Sequence, residues 1–125
     1  TCALPICIVL GVSAGSMNAA HIVYAAPEEP GEAADPHYSR WMNGLGLTET
    51  RILPHYQFIR DHVLDGQKVE DIALADSKKR HFLALPDGSY ILCADGSEAL
   101  YGRGWYFADG MMEEINEDED VLPLR

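Results

Sequence analysis

One serine in this sequence stands where a catalytic nucleophile would be expected. Gly11-Val12-Ser13-Ala14-Gly15 fits the pattern G-x-S-x-G, in which the serine occupies a strained turn between a strand and a helix and has small neighbours. The pattern predicts Ser13 as the nucleophile, with the backbone N–H of Ala14 directed at the oxyanion formed during acyl transfer. The other interpretation of the same residues is a glycine-rich turn whose serine caps a helix.

A serine nucleophile needs a base, and the sequence offers five histidines. His55 is the best candidate because it follows a short apolar segment and a proline, where a side chain can be held at the edge of a sheet. His21 falls in the helix predicted after the serine, about two turns away, and would point elsewhere. The others occupy polar segments and are expected at the surface: His37, His62 and His81.

The elements predicted around these residues belong to a mixed α/β fold. The apolar run at residues 5–10 predicts a buried parallel strand, and residues 16–24 have the apolar spacing of a helix. Residues 27–36 hold three prolines and four acids and predict a loop, residues 51–53 predict a short strand, and residues 69–81 contain a predicted helix. Apolar segments between Asp-Gly turns predict the last strands, at residues 82–85, 89–93, 99–101, 105–107 and 111–115. We therefore expect a layered α/β fold that ends in an antiparallel meander.

Composition limits the size and the partners of the chain. Its 125 residues fit a single domain, and a net charge of −11 with nine Lys and Arg residues disfavours nucleic acid and anionic membranes. The apolar residues 1–10 are too few to span a bilayer and lack the basic region of a signal peptide. The cysteines match no metal or CxxC pattern and predict thiols in a reducing cytoplasm: Cys2, Cys7 and Cys93.

Three segments in order resemble one known family. GVSAGSMN, then LPHYQ, then ALPDGSYILCADG are similar to the dipeptidase E and cyanophycinase family of serine peptidases, and the resemblance covers essentially the whole chain as the C-terminal half of such a protein. It implies a three-layer αβα, flavodoxin-like half-domain related to class I glutamine amidotransferases, ending in antiparallel strands. It assigns Ser13 as nucleophile, His55 as general base and Ala14 as oxyanion donor. The family's acid falls in the loop after the elbow helix, where Glu28 is the match and Glu29 and Asp35 are the alternatives.

The same resemblance implies a substrate. The family favours small, acidic peptides, typically with aspartate, and a cation should hold the substrate carboxylate. Arg80 is the candidate for that cation, with Arg60 and Lys68 as competitors. No metal or organic cofactor is implied. We expect a cytoplasmic serine peptidase that forms homo-oligomers and whose activity is impaired if an upstream half is missing.

Two other functions compete with this hypothesis. One is a non-catalytic, self-associating fragment of the same fold that keeps the elbow only as a relic. The other is an amidotransferase-like domain, which ranks lower because that chemistry requires a cysteine where Ser13 stands.

Overall fold

A computed structural model describes residues 8–118 and 120–124. The described chain is a mixed α/β structure in which strands predominate. Its helices are α1 (Ala14–Met17), α2 (Tyr56–Ile59) and α3 (Val69–Asp76). Its strands are β1 (Ile22–Tyr24), β2 (Trp41–Asn43), β3 (Ile52–Leu53), β4 (Val63–Leu64), β5 (Gln67–Lys68), β6 (Phe82–Ala84), β7 (Tyr90–Ala94), β8 (Ser97–Tyr101), β9 (Gly104–Ala108), β10 (Met111–Ile115) and β11 (Val121–Pro123). None of the described helices has the length and apolar character needed to cross a membrane.

A four-stranded sheet in the order β10-β9-β6-β3 forms the centre of the fold. Strands β3 and β6 are parallel, with Leu53 opposite Ala84, whereas β6 and β10 each pair antiparallel with β9. Strand β6 is buried on both faces, which explains its uninterrupted apolar sequence. Because side chains alternate along a strand, its residues contribute to two separate cores.

The larger core is aromatic and lies on the α3 side of the sheet. Phe82 stacks on Phe107, with ring centroids 4.9 Å apart, and on Tyr24, at 4.4 Å. Tyr56 packs against Phe107 in an edge-on contact at 5.5 Å. Each of these rings is almost fully buried, so this cluster is the main source of hydrophobic stability.

The smaller core joins the central sheet to a second sheet of order β11-β8-β7. It is formed by Leu83, Leu85 and Leu100, which are all buried.

The predicted meander is wrong in one respect, because β6 pairs with β9 and not with the next strand, β7. The chain leaves the central sheet at Pro86-Asp87-Gly88, where Gly88 has a φ of 95° that favours glycine.

Two of the three Asp-Gly turns predicted as hairpins form them, and Asp87-Gly88 does not, because β6 pairs with β9. Asp95-Gly96 joins β7 to β8 and Asp109-Gly110 joins β9 to β10, with positive φ at both residues of each turn. That geometry belongs to the two-residue turns that match the twist of paired strands. A further hairpin, β4–β5, turns at Asp65-Gly66 and was not predicted.

The predicted helix at residues 16–24 is wrong. Helix α1 ends at Met17, and residues 22–24 form β1, which pairs antiparallel with β2. The ring of Tyr24 contacts Trp41 at 4.8 Å, and its hydroxyl donates to the buried carboxylate of Asp76 at 2.6 Å. Arg40 binds the other oxygen of that carboxylate at 2.6 Å. These long-range contacts override the local helical spacing, since helix propensity is a weak preference.

The predicted strand at residues 5–10 is described only in part. Residues 5–7 lie outside the described residues, as do Cys2 and Cys7, while residues 8–10 form no strand. Ile8 is 91% exposed and Leu10 is 86% exposed, so this part of the apolar run is not buried as predicted. Cys93 is an exposed residue on β7.

Candidate active site

Ser13 occupies a strained turn immediately before α1. Its φ of 54° and ψ of −121° are rarely adopted by a residue with a side chain, and such strain is typical of functional sites. The turn closes through the N–H of Gly15 on the carbonyl of Val12 at 2.9 Å. A Cβ on Gly11 would lie 2.6 Å from the Gly15 carbonyl oxygen, so the first glycine of the motif is needed for this close approach. The serine side chain is exposed, as a nucleophile requires.

Two polar side chains of the candidate site follow neighbouring parallel strands. His55 comes after β3 in the sequence Leu53-Pro54-His55, and Asp87 comes after β6 in the sequence Leu85-Pro86-Asp87. The N–H of Leu85 donates to the carbonyl of Leu53 at 2.9 Å, so the strands stay paired up to the two prolines. Because parallel strands end at the same edge of a sheet, both polar side chains emerge together.

Ser13, His55 and Asp87 form a continuous chain of hydrogen bonds. The Ser13 Oγ lies 2.8 Å from Nε2 of His55, and Nδ1 of His55 lies 2.5 Å from Oδ1 of Asp87. With the Nδ1 proton donated to the carboxylate, Nε2 is left to accept the serine proton. The arrangement matches a nucleophile, a general base and an orienting acid.

His55 is held in place by the backbone and by the residue that follows it. It adopts a left-handed conformation with φ 58° and ψ 30°, and in that conformation its ring reaches the serine. Tyr56 is fully buried, packs on Trp105 at 4.9 Å, and donates its N–H to the carbonyl of Leu85 at 3.1 Å. The histidine is therefore anchored to the aromatic core and to the strand that carries the acid.

Ala14 is the first residue of α1 and is exposed beside the nucleophile. The first N–H groups of a helix have no acceptor within it. The Ala14 N–H thus has the position that the motif requires of an oxyanion donor.

The structure brings to His55 a different carboxylate from the one predicted. Asp87, and not Glu28, lies against Nδ1 of His55. The backbone N–H of Glu28 donates to the carboxylate of Glu32 at 2.9 Å, which ties it into its own acidic loop. The same loop contains both of the other candidates, Glu29 and Asp35, which also hydrogen-bond within it.

A signal for Asp87 was present in the sequence. The tripeptides Leu53-Pro54-His55 and Leu85-Pro86-Asp87 have the same form, and each ends a predicted strand. What could not be inferred is that these strands are parallel neighbours, since that pairing is a tertiary feature.

Arg80 lies apart from Ser13, His55 and Asp87. Its guanidinium carbon sits 5.9 Å from the centroid of the Trp41 ring. Arg80 precedes β6 whereas Asp87 follows it, so the strand separates the two along its length. The competing cations are each paired with a carboxylate, Arg60 with Glu70 at 3.5 Å and Lys68 with Asp61 at 3.6 Å.

One contact at the site involves a residue that sequence reasoning missed. The side-chain oxygen of Gln57 accepts a hydrogen bond from the backbone N–H of Asp87 at 3.0 Å.

Within residues 8–118 and 120–124, no group of three or more His, Cys, Asp or Glu side chains is arranged to hold a metal ion. Comparison of the chain with protein families, with curated proteins and with solved structures gives no match.

Proposed function

We propose that the protein is a serine-type hydrolase that cleaves small peptides through an acyl-enzyme. The observation that carries the proposal is the hydrogen-bonded chain from the Ser13 hydroxyl through His55 to Asp87. It is supported by the strained backbone at Ser13, which a simple helix cap does not require. The dipeptidase E-like character, the three-layer αβα arrangement and the preference for aspartate-containing peptides remain part of the proposal on the strength of the resemblance.

The reaction follows from the positions of the three side chains. The Ser13 Oγ attacks the peptide carbonyl carbon while Nε2 of His55 takes the hydroxyl proton. The negative charge on the carbonyl oxygen is stabilised by the N–H of Ala14. His55 then returns the proton to the leaving amine as the C–N bond breaks, and a water molecule, deprotonated by His55, hydrolyses the ester. Asp87 keeps the imidazole in the required tautomer and stabilises its protonated form.

The test is covalent labelling with a fluorophosphonate probe and intact mass as the readout. We expect one adduct on the wild-type protein and none on Ser13→Ala. Ser97→Ala is the matched control, since Ser97 lies at the β7–β8 hairpin. A folded wild-type protein that takes no probe, or an adduct that survives in Ser13→Ala, would refute the proposal.

A self-associating, non-catalytic fragment is the second candidate. The observation that favours it is the exposed apolar segment next to the elbow, where Ile8, Leu10 and Val12 are all largely accessible. Sedimentation velocity over a concentration series distinguishes the two functions when it is combined with the probe. A dimer that takes no probe supports this candidate, and a monomer rejects it.

A further inference from the structure

Gln57 connects the helix that begins at the base to the loop that carries the acid. It lies in α2, two positions after His55, and its side-chain oxygen accepts the Asp87 N–H at 3.0 Å. The neighbouring Tyr56 donates its own N–H to the carbonyl of Leu85 at 3.1 Å. Two successive residues of α2 therefore bind the segment that ends in Asp87.

The Asp87 carboxylate needs such support because little else restrains it. Its side chain is 51% exposed, and it sits at a turn closed by a 3.3 Å bond from the Ser89 N–H to the Pro86 carbonyl. At this exposure water competes with His55 for hydrogen bonds to the carboxylate. The hydrogen bond from the Asp87 N–H to the Gln57 side chain restrains the Cα of Asp87, from which the carboxylate reaches Nδ1 of His55.

The chemistry of the Gln57 side chain suits this task. An amide supplies the oxygen acceptor that a backbone N–H requires, and it does so without charge. A second carboxylate at this place would lie close to that of Asp87, and like charges would oppose each other.

On these grounds we propose that Gln57 is a positioning residue: it acts through Asp87, by holding the backbone of that residue where its carboxylate can orient His55. The inference rests on the proposed function, since it concerns the same three catalytic groups. The hydrogen bond of the Gln57 side chain is to the Asp87 backbone and not to a reacting atom.

The experiment compares the maximal rate of probe attachment, kinact, and the probe concentration at half-maximal rate, KI, among variants. Gln57→Leu keeps the approximate size of the side chain and removes the acceptor. We expect its kinact to fall about five- to tenfold, as for the loss of one hydrogen bond, with KI unchanged. Gln57→Glu restores an acceptor oxygen but adds a charge close to the Asp87 carboxylate, so its kinact should lie between those of Gln57→Leu and the wild type. Gln67→Leu, on the exposed strand β5, is the matched control and should behave as the wild type.

A double-mutant cycle separates positioning from general support of the fold. If Gln57 acts through Asp87, then Gln57→Leu should have almost no effect on kinact in a protein that already carries Asp87→Ala. Equal fold-losses in both backgrounds, or a wild-type kinact in Gln57→Leu, would overturn this inference while leaving the proposed function intact. A wild-type protein that takes no probe on Ser13 would overturn both.

Discussion

Replacement of Asp87 by alanine should slow the attack of Ser13 without preventing folding. The carboxylate of Asp87 and the ring of His55 are 51% and 43% exposed, so their interaction is partly screened by water. For unit charges about 4 Å apart, the energy is about 1 kcal/mol in bulk water and about 4 kcal/mol at the lower effective dielectric of a protein surface. At about 1.4 kcal/mol per factor of ten, these limits correspond to a rate loss of about 5-fold to about 10³-fold.

The rate of fluorophosphonate attachment measures this loss directly. We expect the labelling rate of Asp87→Ala to fall about 10- to 100-fold, because the half-exposed pair lies between the limits for bulk water and for a protein surface. That is less than the loss of about 10⁴-fold known for a buried triad aspartate. Glu28→Ala is the control and should match the wild type, since the carboxylate against Nδ1 of His55 belongs to Asp87. A loss in Glu28→Ala as large as that in Asp87→Ala, or an undiminished rate in Asp87→Ala, would refute the assignment of the acid.

Three further outcomes follow from the structure. Gly11→Ala should abolish labelling of Ser13, because the added Cβ would lie 2.6 Å from the Gly15 carbonyl oxygen. In the control Gly15→Ala the added Cβ meets nothing within 4 Å, so labelling should be normal, and equal rates in the two variants would contradict this prediction. Arg80→Ala should leave kcat/KM for aspartyl dipeptides unchanged, since Arg80 precedes strand β6 and Asp87 follows it. A fall in kcat/KM for aspartyl dipeptides but not for neutral dipeptides would contradict this prediction. Partial burial and the nearby Arg51 lower the pKa of His81, so the stability that its neutral form contributes should be lost as the pH falls below about 6.5. The Tm of His81→Gln should therefore depend less on pH than that of the wild type, and an identical pH dependence of Tm would contradict this prediction.

Local residue chemistry was sufficient to predict the parts of the site that depend on a few neighbouring residues. The pattern G-x-S-x-G requires small residues around a strained turn, and Ser13 adopts that turn. Asp95-Gly96 and Asp109-Gly110 form the hairpins predicted for them, because few other residues accept two successive positive φ angles, whereas Asp87-Gly88 turns the chain into a different sheet. His55 was identified from its place after a short strand and a proline, which is also a local feature.

Only the tertiary structure showed which carboxylate lies beside His55 and how the chain runs after the elbow. The choice of Asp87 depends on the parallel pairing of β3 with β6, which no local pattern specifies. The conversion of a predicted helix into strand β1 depends on the contacts of Tyr24 with Trp41 and Asp76, all distant in sequence. The sequence by itself thus determined the strained turn at Ser13 and the turns of two Asp-Gly hairpins, because their backbone geometry is set by adjacent residues. The partner of the base was decided by packing, because burial of the aromatic core selects which strands become neighbours.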